Sequence, residues 1–454
     1  MINGVPQNDM ENGWVYWSNW AGLGDAVNTM QVQRGLGASK LAINSVGGTL
    51  NIITKATDTK KGGSLMQSVT DYGRYKTMLS LSSGVMENGW AVSAVGSRTM
   101  GNAYVDATFI DAWSYFLTAA KDIGAHRLVF TAIGAPQTHG QRRGQLTVDR
   151  FNDIQNLGYE AHRWNDDWGY LNRGGQENEV LNARVNGYHK PQFALNDYWQ
   201  LSERTNLATS FYISTGKGYG SRYDGTSNPR VSETYVDTAG VERSVKTSLN
   251  WDYLWDSNAN NSQPVTYAAD QIAYDVDAQA WIDTLHEFGD PIVVGNDTIV
   301  GGRSRSVIEN AHNEHFWTGI LSTLRHEVND RVSLMAGVDA RYYSGKHFTR
   351  VNNLLGGDFY LQSFSSSDGY GVNPDYALMA QPGDKVDYDD IGRVQYAGGF
   401  AQAEYKDDRF SLFGAGTISY TTYRRIDPYK YFRYEETGVQ EVTQVNEQTG
   451  ELET

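Results

Sequence analysis

Asn28 to Lys55, NTMQVQRGLGASKLAINSVGGTLNIITK, sets two short β-prone runs on either side of a glycine-punctuated turn. Thr29 to Gln33 is expected as a short strand, broken at Arg34-Gly35-Leu36-Gly37, where glycine admits backbone angles that other residues resist. Ser39 to Val46 is long enough for one or two helical turns, with Ser39 as an N-cap. Gly47-Gly48 ends that turn, and Leu50, Ile52 and Ile53 then make a β-rich run whose polar positions are Asn51 and Thr54. Spacing alone also suits an ordinary strand, turn and strand of a soluble domain.

The order V-Q-R-G, a small-residue turn, then V-G-G-T-L-N-I-I-T-K resembles the closing segment of the plug domain of TonB-dependent outer-membrane receptors. Upstream, Asn3-Gly4-Val5-Pro6-Gln7-Asn8-Asp9 looks like the strand and turn before it, and that opening with the Tyr16-Trp17 pair is closest to receptors of Bacteroidetes-type bacteria. The likeness in motif covers residues 1–61. It implies plug residues at 1–61 and barrel residues at 62–454. It also implies a full barrel of twenty-two strands, no catalysis and no cofactor, and a plug moved by force from the TonB-ExbB-ExbD complex. A signal segment, a TonB-binding segment and the front of the plug are then expected before Met1. By the same resemblance Asp9, Glu11, Asn12, Tyr16 and Trp17 lie at the plug apex, where substrate is captured. Arg34, Gly35, Gly47, Gly48 and Asn51 serve plug structure, with Arg34 facing carboxylates of the barrel wall.

The length is enough for one big β domain or two to three ordinary ones and does not choose between them. The 454 residues include no cysteine, 48 glycines, 29 tyrosines and 12 tryptophans, which removes disulfides and thiolate metal sites. A net charge of −15 argues against nucleic acid as partner, since phosphate is met by basic stripes. No run of about 20 apolar residues forms a membrane helix. Barrel strands alternate apolar and polar residues and need no such run.

From Gly63 the pattern becomes strands of roughly 10 residues, joined by connections that alternate between tight and long. Tight turns read at Glu87-Asn88-Gly89, Asp122-Ile123-Gly124, Ser202-Glu203-Arg204, Val328-Asn329-Asp330 and Lys406-Asp407-Asp408. Long excursions are expected at about 96–110, 134–191, 215–310 and 344–392. Short turns on one rim and long loops on the other are the habit of a transmembrane barrel. Val332, Leu334, Ala336, Val338, Ala340 and Tyr342 share one face, while Ser333, Gly337, Asp339 and Arg341 share the other. Trp90, Trp113, Tyr115, Trp199, Trp317, Tyr342, Tyr343, Tyr396 and Tyr420 fall where interfacial girdles would need them. The fold class expected is all-β, a partial antiparallel transmembrane barrel of about eleven strands with the C-terminal part of a plug. Such a set does not close.

Little here suggests chemistry. His312 and His315 are three apart, so on a strand they face opposite ways and cannot share one ion. Asp384, Asp387, Asp389 and Asp390 form an acidic loop with oxygen donors for calcium, though the spacing is no EF-hand and solvated carboxylates explain it as well. No metal site is assigned. The loop from Gly134 to Gly175 gathers His139, Arg142, Arg143, Trp164 and Trp168, which suits an anionic, sugar-like or peptide ligand. The resemblance implies energy-coupled uptake of a scarce complex (siderophore-iron, glycan, peptide or another small molecule) through outer-membrane lipid, with a surface lipoprotein as a possible partner. A passive porin and a secreted β-sandwich that binds or cleaves carbohydrate are the alternatives.

Overall fold

The computed structural model describes residues 1–34, 48–54, 60–144, 146–175, 177–225, 228–259, 303–362, 376–377 and 379–432, with short strands at 292–294, 297–299, 370–372, 444–445 and 452–453. The turn 35–47, and with it Gly35 and Gly47, lies outside them.

Both expected strands of the opening stretch are present. β1 (Val27–Arg34) and β2 (Gly48–Thr54) pair antiparallel, with Met30 opposite Ile52 and Arg34 opposite Gly48. Gly48 is at φ +117°, and a Cβ there would stand 2.2 Å from the Gln33 carbonyl oxygen. Only glycine fits that approach. The upstream Asn3-Gly4 is a tight turn with both φ positive, at 48° and 82°, as the Asn-Gly dipeptide favours. It is stitched onto β2: the Asn3 amide donates to the Ile52 carbonyl at 2.9 Å, and the Thr54 amide to Asn3 Oδ1 at 3.0 Å. Asn51 is buried, and its Oδ1 accepts from the Gly4 amide at 3.4 Å. A 3₁₀ turn at Trp17–Trp20 and a single helical turn, α1 (Leu23–Ala26), lead into β1.

The strands that follow are β3 (Gly62–Thr70), β4 (Arg74–Val85), β5 (Trp90–Gly101), β6 (Ile110–Ile123), β7 (His126–Gly134), β8 (Gln137–Gly140), β9 (Trp168–Leu171), β10 (Glu179–Asn182), β11 (Val185–His189), β12 (Gln192–Ser202), β13 (Thr205–Gly225), β14 (Arg230–Val236), β15 (Glu242–Leu249), β16 (Ile292–Val294), β17 (Asp297–Ile299), β18 (Arg303–Ser304), β19 (Ser306–Glu327), β20 (Val332–Asn353), β21 (Phe359–Leu361), β22 (Tyr370–Val372), β23 (Met379–Ala380), β24 (Lys385–Lys406) and β25 (Ser411–Ile426). Thirteen of them form one antiparallel meander. They trace eleven tracks, because β8 continues the line of β7 beyond Pro136 and β11 that of β12 across Pro191. Proline has no N–H for the ladder, so each interruption has a local cause. Among the described residues β3 and β25 are not paired with each other, and the sheet stays open. Among the described residues the sheets beside this one have two or three strands each.

All five tight turns fall between paired strands. Face assignment holds too. Leu334 and Val338 are exposed on the outer face, whereas Asp339 is buried on the inner one with Arg341 as its ion-pair partner. Outer-face Leu79, Leu81, Phe130, Leu195, Phe211, Ile320 and Leu324 extend the apolar belt. Soluble monomers seldom expose so broad an apolar surface.

Strand length differs from the sequence expectation. β13 has 21 residues and β19, β20 and β24 have 22 each, so the loops after β13 and β20 begin about ten residues later than expected. The period-2 pattern continues above the apolar belt, because a paired ladder needs alternation whether or not lipid is present. The excursions also fold. Helix α2 (Val148–Asn156), capped by Thr147, helix α3 (Trp251–Ala259) and the hairpins β9–β10 and β14–β15 stand over this rim. Leu171 and Leu181 of the β9–β10 hairpin, Leu249 of β15, and Trp251 and Leu254 of α3 share a core with Ile308 and Leu355. Several expected girdle aromatics face inward instead: Trp317 and Tyr343 are 1% and 3% exposed and pack with Val5 beneath the plug.

Candidate functional site

The N-terminal segment fills the concave side of the sheet. Ile2, Trp20, Leu23, Ala26 and Ile52 pack on Val95, Phe116 and Ile133 of the wall, and Val5 with Met10 on Ala194, Tyr212, Trp317, Tyr343 and Val394. Polar contacts fix its orientation. Asp25 pairs with Lys76 at 2.5 Å and accepts from Ser97 Oγ at 2.8 Å, and Gln7 donates to Gln192 at 3.0 Å. Lys190, 7% exposed, lies against the Trp20 and Trp317 rings at 5.8 and 5.2 Å. The contact expected between Arg34 and wall carboxylates is not seen among the described residues. Arg34 is exposed at the end of β1 without an ion pair among the described residues, while plug Asp25 meets wall Lys76. Ion-pair polarity across two elements depends on which side chains the register aligns, and no local pattern records that.

In the loop expected at the apex, Asp9 Oδ1 accepts from the amides of Glu11 and Asn12 at 2.9 and 3.2 Å, and the Asp9 amide donates to the Trp14 carbonyl at 2.8 Å. Asn12 closes the same loop, donating to the Tyr16 hydroxyl at 3.0 Å. Asp9 and Asn12 therefore build the turn that presents its neighbours. Tyr16 and Trp17 are 51% and 56% exposed, and Trp14, which the sequence reading passed over, is 70% exposed. Its position between two turn residues and an aromatic pair was the available signal.

Glu11 reaches the wall. Its Oε2 is 2.7 Å from His347 Nε2 and accepts from the Tyr343 hydroxyl at 3.4 Å. Gly392 and Gly345 leave the room it occupies, since a Cβ on Gly392 would fall 1.6 Å from Glu11 Oε1. His347 lies fifteen residues beyond the first of β20, above the roughly ten residues that cross a membrane. The Glu11 hydrogen bond raises the His347 pKa against an opposing desolvation, and Asp9 and Asp390 add to the rise.

The loop candidates are spread along one folded excursion. His139 on β8 contacts Gln141, Trp164 leans on Tyr159 at 4.9 Å, and Trp168 on β9 meets Tyr170 at 5.4 Å. Arg142 and Arg143 are exposed; Arg142 donates to the Trp164 carbonyl at 3.2 Å, and the Arg143 amide to Asp167 at 2.9 Å. Among the described residues no hydrogen bond or ion pair joins this group to the apex. His312 and His315 take opposite faces as expected: His312 stacks on Phe348 at 4.8 Å, His315 on Tyr343 at 5.8 Å. The acidic run is not a loop but the start of β24, and its members separate. Asp384 caps the Gln381 amide, Asp389 pairs with Lys385, and Asp390 pairs with Arg425. Strand alternation divides carboxylates that adjacency had grouped.

Among solved structures, the chain is similar to the ferric citrate transporter FecA in the unliganded form (TM-score 0.53, 10% identity, 94% of this chain and 48% of that one). It is likewise similar to FpvAI in complex with pyocin S2 (TM-score 0.53, 12% identity, 95% and 45%). A third is the ferripyoverdine receptor of the outer membrane of Pseudomonas aeruginosa bound to ferripyoverdine (TM-score 0.52, 11% identity, 95% and 46%). These neighbours are TonB-dependent outer-membrane receptors, not enzymes, and the fold here is their partial barrel with part of its plug. The chain spans about half the length of each. No family model matches the sequence, and no curated protein does.

Proposed function

We propose that the chain is the plug-bearing part of an outer-membrane receptor that imports a scarce nutrient complex with energy from the TonB-ExbB-ExbD complex. The observation that carries this reading is the N-terminal segment packed into the concave side of the sheet by two apolar clusters and the Asp25–Lys76 pair. A seal of that kind makes passive flow small. Ligand binding shifts a conformational equilibrium only by its differential affinity, so uptake against a gradient needs an outside energy source.

The exposed Trp14, Tyr16 and Trp17 offer flat faces for a ring-bearing or glycosylated ligand, and Arg142 and Arg143 offer forked donors for its anionic groups. Siderophore-iron, glycan and peptide complexes all present such groups, and a surface lipoprotein would serve the larger of them. Uptake of the labelled ligand that supports growth should be lost when either this gene or the TonB gene is deleted. Uptake that survives without TonB would leave the porin reading, and swelling of liposomes holding the purified protein in small sugars would favour it.

A further inference from the structure

Three acidic side chains from separate strands meet above the apolar belt: Asp224 near the end of β13, Glu309 on β19 and Asp387 on β24, with one carboxylate oxygen from each mutually within 4.8 Å. We propose that they form a calcium site that ties these strands together at the loop-bearing rim, whatever the barrel transports. Oxygens on opposite sides of a calcium ion lie about 4.6–5.2 Å apart, at twice the usual bond length. The observed spacing suits that span.

Glu309 supplies the independent sign of a missing partner. The residue is 0% exposed, yet Oε1 faces no N–H or O–H donor among the described residues. Its Oε2 is held by Arg222 at 2.9 and 3.1 Å. A buried carboxylate oxygen left unpaired costs free energy. Arg222 also reaches Asp387 Oδ2 at 3.2 Å, and the Tyr360 hydroxyl lies 3.5 Å from Asp224 Oδ2. One guanidinium thus bonds two of the three carboxylates. Asp387 owes its place to an irregularity in β24: the register jumps between Phe348↔Asp389 and Thr349↔Val386, and Asp387 takes φ +65°. Such bulges re-aim side chains.

The test uses the full-length protein in detergent, with calcium alone as the added ion. Calcium over EGTA should raise the melting temperature by about 2–4 °C, with half-effect at about 0.1–1 mM, the range of extracellular sites. Terbium should bind, its emission sensitised by Tyr360 and reversed by calcium, in the unaltered protein. Glu309→Gln should abolish both responses, and Asp390→Asn, which lies outside the trio, should keep them. The proposal is overturned by absence of any calcium effect up to about 10 mM, by an equal effect of magnesium, or by an undiminished response in Glu309→Gln. Stabilisation by acid alone, with no calcium response, would mean that Glu309 and Asp387 share a proton instead.

Discussion

Glu11 and His347 are 336 positions apart and meet at 2.7 Å. Both imidazole nitrogens face oxygen acceptors, Nε2 toward Glu11 and Nδ1 toward Asn313 at 2.7 Å, which suits the imidazolium. His347 has its pKa raised in the folded state. Its contribution is therefore complete below the ordinary histidine value of about 6.5 and fades as pH rises through the folded value. Since both side chains keep some solvent contact, at 32% and 24% exposure, the link is worth on the order of 1 kcal/mol. Hydrogen exchange at the Glu11 and Asn12 amides, corrected for intrinsic rates, should be several-fold more protected at pH 5.5 than at pH 8.5. His347→Gln should flatten that difference, and equal protection at both pH values would refute the link. That Asp9 belongs to a turn was legible because a turn is a local matter. The reach of Glu11 was not, because its partner and the two glycines that admit it come from strands far along the chain.

Elements here are held in place by positions that exclude side chains. At Gly392 an added Cβ would meet only the flexible end of Glu11, so Gly392→Ala should expel the carboxylate without moving the strand. The melting temperature of the barrel should stay within about 2 °C, while the pH dependence of apex protection disappears. Gly48 is different, because there the obstacle is backbone and φ is +117°. Gly48→Val should weaken the β1–β2 hairpin by about 2–3 kcal/mol, read as faster proteolysis within 28–54 with the barrel strands still protected. Both strands of that hairpin and the five tight turns could be read from sequence, four of the turns because glycine, asparagine or aspartate marks them and Ser202-Glu203-Arg204 because serine opens it between two alternating runs. Lengths of 21 and 22 residues could not, since alternation does not report where the apolar belt stops. The cross-strand assembly of Asp224, Glu309 and Asp387 was equally hidden, being created by register and a bulge.

For the whole molecule, the question is whether the N-terminal segment seals the sheet's concave side or merely rests in it. Eleven tracks and an apolar outer face would serve an open channel as well as a gated one, so the sequence pattern that exposed the barrel could not decide. The seal depends on Ile52, 2% exposed and packed with Trp20, Phe116 and Ile133. Ile52→Asp places an unpaired carboxylate in that cluster at a cost of several kcal/mol, enough to undock β2 while leaving the wall ladder intact. Cells whose full-length protein carries Ile52→Asp should then become sensitive to large antibiotics normally excluded by the outer membrane, with the protein present at an ordinary level and still heat-modifiable on gels. Ile52→Val, which keeps the packing and removes one methylene, should leave permeability at the parental level. If both variants behave like the parent, the segment is not the barrier and the pore is closed elsewhere; if the parent already leaks, the porin reading gains what the receptor reading loses.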